Sequence, residues 1–504
     1  MCITVSGLAV CVRKGGLMRI KGLSHWQIWL MVLVSIAMLA WAGRMSVSSA
    51  AQDDGDGFEG LADRLGRLDA WYAYHGDTLR TREPLSPMVT ASIRTSDALT
   101  GTMTATVHLP VVMAGRPALT ECRALWVTRY DWTTVEDAPT PAVLDTVVAK
   151  ASSAGFNTLF FQVRAAGDAY YTPGLEPWAA RLTTGPVSET LGVDPGWDPL
   201  AHMVTIAHEA GLELHAYVNV YTAWLAPSSS AMGLLWPPTT DPPSMFDRFT
   251  YGPSYTEHPG VYGMGYTWRH YDLSGPMPLA WQHYLWASPG VDEVQDHLAA
   301  VVADIIARYA VDGIQLDRVR YAGPGYSYDP ASNLAAGDVK TPARDQWQRD
   351  RVTALVRRVT EMGRAQGVLT SAAVWPYASD RWGWDVSEGY ADFYQDAKAW
   401  VRDEAIDTIV PMMYGGPVDD LEKWQLVLQD YATDPGLAGV YPGLGGHYPD
   451  FAEIAKRIEI VRAAGAPGHA VFSFSGIDHF DHWDAFADGP YRIPARPPSR
   501  PAAP

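Results

Sequence analysis

Between residues 124 and 486 the sequence alternates eight times between short apolar segments and longer amphipathic segments. Short runs rich in valine, leucine, isoleucine and phenylalanine are typical of parallel strands buried on both faces, and the amphipathic segments are typical of surface helices. Eight strand–helix units in succession predict an α/β fold, a closed (β/α)8 TIM barrel. The strands are predicted at residues 124–127, 157–163, 212–218, 314–316, 368–374, 406–413, 438–441 and 470–474.

The alternative fold is a doubly wound open sheet, which predicts a glycine-rich phosphate-binding turn after the first strand. Residues 128–132 read Thr-Arg-Tyr-Asp-Trp and contain no glycine, which argues against dinucleotide binding. The first strand also lacks the His-x-His pair with which many barrel hydrolases bind a metal ion. We therefore predict neither a cofactor nor a metal site.

The two ends of the chain differ in character from the barrel segment. Basic residues within 13–21 precede an apolar run from Trp26 to Ala42, which is the pattern of a secretory signal peptide. A run of this length is also near the minimum for a membrane span, so attachment by an uncleaved anchor is the alternative. We expect export, with a signal peptide or anchor at 1–50, a spacer with a short helix at 51–118, the barrel at 119–488, and a disordered Pro-rich tail at 489–504.

The chain carries a formal net charge of −18, which argues against nucleic acid or an anionic membrane surface as a partner. A long insertion, residues 220–289, follows the third predicted strand and holds fourteen aromatic residues. Loops this long inside a compact domain are usually functional, and aromatic faces stack well on sugar rings. The insertion predicts either the wall of a sugar-binding cleft or a self-packed lobe. We expect both, with three or four aromatic side chains exposed.

The candidate site follows from the strand ends, because residues at the C-terminal ends of barrel strands line the active site. Asp317 ends the run Asp-Gly-Ile-Gln-Leu-Asp at 312–317 and is the first catalytic candidate, although a structural aspartate or a helix N-cap is the alternative. The strand ends also supply nine candidate substrate-binding residues, namely Gln162, Arg164, His215, Tyr217, Asn219, Tyr221, Arg320, Trp375 and Tyr414.

Several segments in this order resemble one family of bacterial barrels, the glycosyl hydrolase-like 10 family, formerly domain of unknown function 187. The segments are 156–168, 175–178, 194–200, 211–219, 312–317 and 409–414. The resemblance covers about residues 120–480 and implies a barrel that cleaves bacterial glycans, with the glycan strands of the cell wall as the expected substrate. The family usually continues its third strand as Asn-Pro-Tyr-Arg, whereas this chain has Asn-Val-Tyr-Thr at 219–222, so substrate contacts there are expected to differ.

Glycoside hydrolysis normally requires two carboxyl groups, one as acid and one as nucleophile or base. We assign Asp317 to the second role, with Arg164 and Arg320 as neighbouring cations that lower its pKa. Asp168 and Asp385 are equal candidates for the acid, the latter because the tryptophans around it would raise its pKa, and Glu176 is a third option. A non-catalytic carbohydrate-binding barrel is the alternative function. A second carboxyl group within about 5–10 Å of Asp317 favours the enzyme.

Overall fold

The computed structural model describes residues 119–251, 265 and 267–498, and two short antiparallel strands at Cys2–Val5 and Leu8–Cys11. The two short strands belong to a unit formed by residues 1–65, and residues 66–504 form a second unit that contains the barrel. The rest of the predicted leader and spacer, and residues 499–504, lie outside the described residues. Within the described residues, no helix combines the length and the apolar content that are needed to cross a bilayer.

Eight parallel strands form a single sheet in which neighbours in sequence are also neighbours in space, and β8 pairs with β1. The barrel closes between β6 and the segment just before β7, where the Ile409 amide donates to the Gly439 carbonyl at 2.9 Å and the Tyr441 amide donates to the Ile409 carbonyl at 2.9 Å. The predicted TIM barrel is therefore confirmed. The strands are β1 Cys122–Val127, β2 Thr158–Arg164, β3 Glu213–Asn219, β4 Gly313–Asp317, β5 Leu369–Val374, β6 Thr408–Pro411, β7 Gly443–Gly445 and β8 Gly468–Phe472.

The seventh strand differs in position from the prediction, which placed it at 438–441. Residues 439 and 441 do bond to β6, but β7 itself begins at Gly443, two residues after the predicted strand ends, and pairs with β8. Pro442 lies between the two segments and has no N–H group to donate, which separates one ladder from the other.

Helices follow the strands and cover the outside of the barrel. Three of them begin with proline, whose fixed φ suits the first helical turn, and several have an aspartate side chain that caps the first turn, as Asp198, Asp420 and Asp450 do. The helices are α1 Pro141–Ala154, α2 Pro199–Glu209, α3 Asp292–Arg308, α4 Pro342–Ala365, α5 Ala397–Arg402, α6 Leu421–Thr433, α7 Phe451–Ala463, α8 Phe474–His479 and α9 Trp483–Asp488.

Alternation along the strands divides the core into two parts. On β1, Leu125 and Val127 face the large core between strands and helices, whereas Ala124 and Trp126 face the smaller core inside the barrel. The indole of Trp126 fills this interior and meets the rings of Phe160 and Tyr217 edge-on at centroid distances of 5.0 and 4.9 Å. The barrel is thus packed at its centre, which leaves the mouth above this layer as the part of the interior that a ligand could reach.

The floor of the barrel, at the N-terminal ends of the strands, is closed by the C-terminal segment. Leu119–Thr120 pairs in parallel with Ala495–Arg496, and the buried guanidinium of Arg123 donates to the carbonyls of Tyr491 and Ile493 at 3.2 and 2.9 Å. Tyr491 is buried because its ring packs against Phe156, which follows α1, and against Phe486 of α9. The folded body therefore continues to residue 498, ten residues beyond the predicted end of the barrel.

The insertion after β3 begins and ends as one antiparallel pair, Thr222–Leu225 with Tyr284–Trp286. Inside it, a short helix at Met245–Thr250 packs phenylalanine rings against Trp268, which is fully buried. Three of its described aromatic side chains are exposed, Trp236 (53%), Tyr251 (65%) and Trp281 (37%). Residues 252–264 and 266 lie outside the described residues. The described part of the insertion is thus a self-packed lobe that also presents aromatic surface, as expected.

Candidate active site

Asp317 is the last residue of β4 and is half-buried at the mouth of the barrel. Its Oδ2 accepts a hydrogen bond from the Tyr217 hydroxyl at 2.9 Å, and its Oδ1 accepts one from the Arg318 amide at 2.6 Å. Arg318 has a φ of +50°, so the chain turns sharply immediately after the carboxylate. The expected position of Asp317 and its contact with Tyr217 make this pair the centre of the candidate site.

Two arginines of the loop that follows β4 lie among aromatic rings at the mouth of the barrel. The Arg318 guanidinium lies 4.3 Å from the ring centroid of Tyr284. The buried guanidinium of Arg320 lies between the rings of Trp286, Trp375 and Phe393, at 5.0, 5.5 and 4.6 Å from their centroids. Burial, followed by the charge of Arg318, lowers the pKa of Arg320 to about 9, and the charge of Asp317 opposes this shift. Arg320 therefore stays protonated at neutral pH.

Arg129, which follows β1, connects the insertion to the barrel. Its Nη2 donates to the hydroxyl of Tyr284 at 2.6 Å, and its backbone amide and Nη1 donate to Oε1 of Gln162 at 2.9 and 3.2 Å. Tyr284 is therefore held between Arg129 and Arg318. Sequence reasoning did not assign this role to Tyr284, because the contact joins segments 155 residues apart. The sequence feature that could have indicated this contact is Arg129 itself, an arginine just after the end of the first strand.

Asp168 lies four residues beyond β2 and is half-buried. Its Oδ1 accepts hydrogen bonds from the amides of Ala165 and Ala166 at 3.1 and 2.7 Å. Burial raises the pKa of Asp168, and these two bonds and the charges of Arg129 and Arg164 offset part of the increase. Because β2 and β4 are separated only by β3, the strand before Asp168 and the strand that ends at Asp317 are about 10 Å apart.

The structure corrects the expectation that Arg164 binds substrate or holds Asp317 ionised. The Arg164 side chain is completely buried and forms a bidentate ion pair with Glu176, with N–O distances of 2.7 and 2.8 Å. A bulge between Gln162 and Arg164 shifts the register, so that Arg164 lies beside Val218, a residue of the outer core. The sequence pattern contains no sign of that bulge, and regular alternation would have directed Arg164 into the barrel.

Arg164 instead fixes the start of the insertion, since its Nη1 donates to the carbonyls of Val220 and Thr222 at 2.9 and 3.1 Å and also to that of Asn219. Burial alone would raise the pKa of Glu176, but the charge of Arg164 and the hydrogen bonds from Arg164 and His297 lower it to about 2. Glu176 is therefore ionised at neutral pH and does not fit the role of a proton donor.

Asp385 does not lie in the apolar environment that sequence reasoning expected. The tryptophans beside it stack on each other, and Asp385 itself is exposed on a turn with a φ of +56°. Its backbone amide donates to Oδ2 of Asp380 at 2.8 Å. Its neighbours thus leave the carboxylate in solvent, which removes the reason for assigning it as the acid.

His215 and Tyr221 are also away from the mouth. His215 lies two positions below Tyr217 on β3 and lines a cavity of about 10 Å³ at the floor. Its ring occupies the space beside Gly313, where an added Cβ would lie only 2.4 Å from Nδ1. Tyr221 is completely buried in the outer core, and its carbonyl accepts a hydrogen bond from the Ala287 amide at 2.8 Å. The substrate-binding roles expected for both residues are corrected to packing roles.

Three further candidates lie at or just beyond the strand ends. Asn219 is buried and donates from Nδ2 to the Ala165 carbonyl at 3.0 Å, which ties β3 to the turn that carries Asp168. Trp375 and Tyr414 are half-buried at the mouth. The Tyr414 ring lies parallel to that of Phe472, with ring centroids 5.0 Å apart. Trp375 and Tyr414 are therefore suited to stacking against a ligand.

Comparison with known proteins identifies relatives that share part of this chain. Glycosyl hydrolase DigH of Escherichia coli K12 is 27% identical over 288 residues, which are 54% of this chain and 58% of DigH. Glycosyl hydrolase YngK of Bacillus subtilis is 25% identical over 325 residues, which are 60% of this chain and 56% of YngK. The chain thus spans less than two thirds of the length of either relative.

Among solved structures, the glycoside hydrolase domain of PgaB (BpsB) from Bordetella bronchiseptica is similar with a TM-score of 0.48 and 13% identity, covering 73% of this chain and 98% of that one. The family model for glycosyl hydrolase-like 10 matches residues 121–232 and 269–428, together more than half of the chain. The gap in the match falls within the insertion. The chain with Asp317 at its barrel mouth therefore belongs to the glycosyl hydrolase-like 10 family.

Proposed function

We propose that this protein is an exported glycoside hydrolase that cleaves glycosidic bonds in a bacterial polysaccharide, with Asp317 as nucleophile or base and Asp168 as acid. The observation that carries the proposal is the Asp317 carboxylate, which lies at the barrel mouth and is oriented by the Tyr217 hydroxyl and the Arg318 amide. Membership of the glycosyl hydrolase-like 10 family supports the reaction class.

Asp317 suits a reaction that passes through an oxocarbenium-like transition state. Two hydrogen bonds fix the orientation of the carboxylate before a sugar arrives, so no reorganisation is required during the reaction. From this position the negative charge stabilises the positive charge that develops at the anomeric carbon, or the oxygen attacks that carbon directly.

Asp168 suits the acid, because burial raises its pKa and keeps the proton on the carboxyl group at higher pH than for an exposed aspartate. The proton passes to the glycosidic oxygen as the bond to the leaving sugar breaks. The charge of Arg129 acts on both Asp168 and Tyr217, so Arg129 lies close enough to influence the proposed acid and the tyrosine that orients Asp317.

The substrate class follows from the walls of the mouth. Half-buried aromatic rings at Tyr284, Trp375 and Tyr414 are suited to the apolar faces of sugar rings, and the nearby arginines supply hydrogen-bond donors to hydroxyl groups. We propose cell-wall glycan strands as the polysaccharide, reached after export directed by the basic and apolar segment at residues 13–42.

The test is incubation of the purified protein with a panel of polysaccharides that includes peptide-free cell-wall glycan strands, with the products read by mass spectrometry. Shortened chains that carry a new reducing end, absent from a parallel incubation of Asp317→Asn, support the proposal. Binding to a glycan without any new reducing end indicates a carbohydrate-binding barrel instead.

A further inference from the structure

The loop that follows β5, residues 375–396, carries an aromatic pair beyond the residues already assigned to the site. The indoles of Trp382 and Trp384 lie nearly parallel, with centroids 4.5 Å apart and an interplanar angle of 17°. Both are half-buried. Lys423 lies over the ring of Trp384 at 5.4 Å, so the stack begins with Lys423 and ends in Trp382.

The backbone of this loop is arranged around the Asp380 carboxylate. Oδ1 of Asp380 accepts hydrogen bonds from the amides of Trp382 and Trp384 at 3.2 and 3.1 Å, and Oδ2 accepts one from Asp385 at 2.8 Å. Asp385 has a φ of +56°, a conformation that is unfavourable for a residue with a side chain and that such a network maintains. The two indoles are thus held in place by the loop itself, before any ligand binds.

The position of the loop relates the pair to Asp317. β5 is the neighbour of β4, and the loop starts at Trp375, whose ring contacts the Arg320 guanidinium. Its Nε1 donates to the Ser387 carbonyl at 2.7 Å, which folds the far end of the loop back towards the mouth. On the other side of β4, β3 leads into the insertion with its exposed Trp281. Asp317 therefore lies between two loops that present tryptophan.

We propose that Trp382, supported by Trp384, is a subsite for a sugar ring of the glycan that Asp317 cleaves, at least one ring away from the scissile bond. A pyranose ring stacks its C–H groups on the Trp382 indole, an interaction with little conformational penalty because the indole is already fixed. The proposal rests on the proposed function and adds to it a dependence on chain length. Glycans that reach the loop after β5 bind more tightly than shorter ones.

The experiment measures binding by calorimetry in the Asp317→Asn background, so that no substrate is consumed. The probes are β-1,4-linked N-acetylglucosamine oligomers of two to six units and peptide-free cell-wall glycan strands. We expect Trp382→Ala to weaken binding of the longest probes by about three- to tenfold and to leave the disaccharide unaffected, and Trp382→Phe to restore part of the loss. Trp347→Ala is the matched control, because Trp347 is a half-buried tryptophan on the outer helix α4.

Equal affinity of the Trp382→Ala variant and its parent for every probe length, an equal loss at every length, or failure of the parent to bind any probe overturns the subsite. Incubation of the same probes with the wild-type protein, followed by analysis of the products, tests the proposed function separately from the subsite. Length-dependent loss of binding without any hydrolysis leaves the subsite and removes the enzyme. Hydrolysis with no effect of Trp382 leaves the enzyme and removes the subsite.

Discussion

The hydroxyl of Tyr217 on β3 donates to Oδ2 of Asp317 on β4 across 2.9 Å. Tyr217 is itself fixed from below, because its ring meets the Trp126 indole edge-on in the interior of the barrel. Burial and the neighbouring Asp317 charge raise the pKa of Tyr217 well above its usual range, so the hydroxyl remains a donor at every pH of interest. The orientation of the proposed catalytic carboxylate is thus set by the packed core.

Tyr217→Phe removes this hydrogen bond and keeps the ring. A hydrogen bond to a charged group contributes about 1.5–3 kcal/mol, so we expect kcat to fall roughly 10- to 100-fold with KM nearly unchanged. Steady-state kinetics on glycan strands measure the effect, and the melting temperature serves as the control for folding. A kcat equal to that of the wild type would show that Tyr217 does not orient the carboxylate.

Asp317→Asn keeps the size of the side chain and removes its charge. We expect a folded protein that binds glycan and hydrolyses it slower by several orders of magnitude, since each ~1.4 kcal/mol of lost transition-state stabilisation is tenfold in rate. Circular dichroism and product release measure the two outcomes. If Asp317→Asn unfolds while Asp168→Asn is folded and inactive, Asp317 is a structural residue.

The pH profile tests the assignment of the acid. A carboxyl group with a raised pKa donates its proton below that pKa, so activity should be present at low pH and decline as pH rises through the pKa of Asp168. Asp168→Asn retains an acceptor for the Ala165 and Ala166 amides but has no proton to donate. We expect the variant to cleave glycan at least 100-fold more slowly.

An aryl glycoside with a good leaving group needs no such proton, so its cleavage should survive in Asp168→Asn. Asp385→Asn is the matched control, because the Asp385 side chain is exposed. Loss of the alkaline decline in Asp385→Asn, with the decline retained in Asp168→Asn, would reverse the assignment.

The ion pair of Arg164 and Glu176 predicts a specific stability effect. Glu176→Gln leaves the buried Arg164 guanidinium without its partner, which should lower the free energy of unfolding by roughly 3–5 kcal/mol at neutral pH. Because the folded pKa of Glu176 is about 2 and its ordinary value is 4.5, its contribution is complete above pH 4.5 and is lost as pH falls towards 2. Denaturant titrations at pH 7 and pH 3 should therefore show a smaller difference between wild type and variant at pH 3.

The closed floor predicts the reactivity of Cys122. This thiol is buried in the floor cavity, which Pro497 and Pro498 border, and burial raises its pKa to about 12. In a background in which Cys2 and Cys11 are replaced by serine, a thiol reagent should label Cys122 very slowly. A chain that stops after Gly489 should be labelled much faster and should melt at lower temperature. Equal labelling rates would mean that the C-terminal segment does not protect the floor.

The barrel was predictable from the sequence because burial on both faces gives its strands short apolar runs, and these alternate eight times with longer amphipathic segments. Asp317, Trp375 and Tyr414 lie at the mouth, as expected for residues at the C-terminal ends of strands, while their roles stay predictions. Depth along a strand was harder to predict. His215 and Tyr217 face the same interior and are only two positions apart on β3, but His215 lines the floor cavity whereas Tyr217 reaches Asp317 at the mouth.

The positions of Arg164 and Asp385 were predicted incorrectly because each depends on local backbone geometry. One bulge after Gln162 redirected Arg164, and a turn built around Asp380 left Asp385 in solvent. Both depend on contacts between distant segments, as does the position of Tyr284 between two arginines. Periodicity and composition describe a segment alone, so they do not report such contacts.

The paired strands Thr222–Leu225 and Tyr284–Trp286 make the lobe between them an exchangeable module. The chain leaves the barrel and returns to it side by side, so the length and content of the lobe can change without moving β3 or β4. The family model stops matching at residue 232 and resumes at 269, inside this lobe and not in the strands. Differences among members of the family are therefore expected to concentrate in this lobe, while the strands on either side of it keep their places in the barrel.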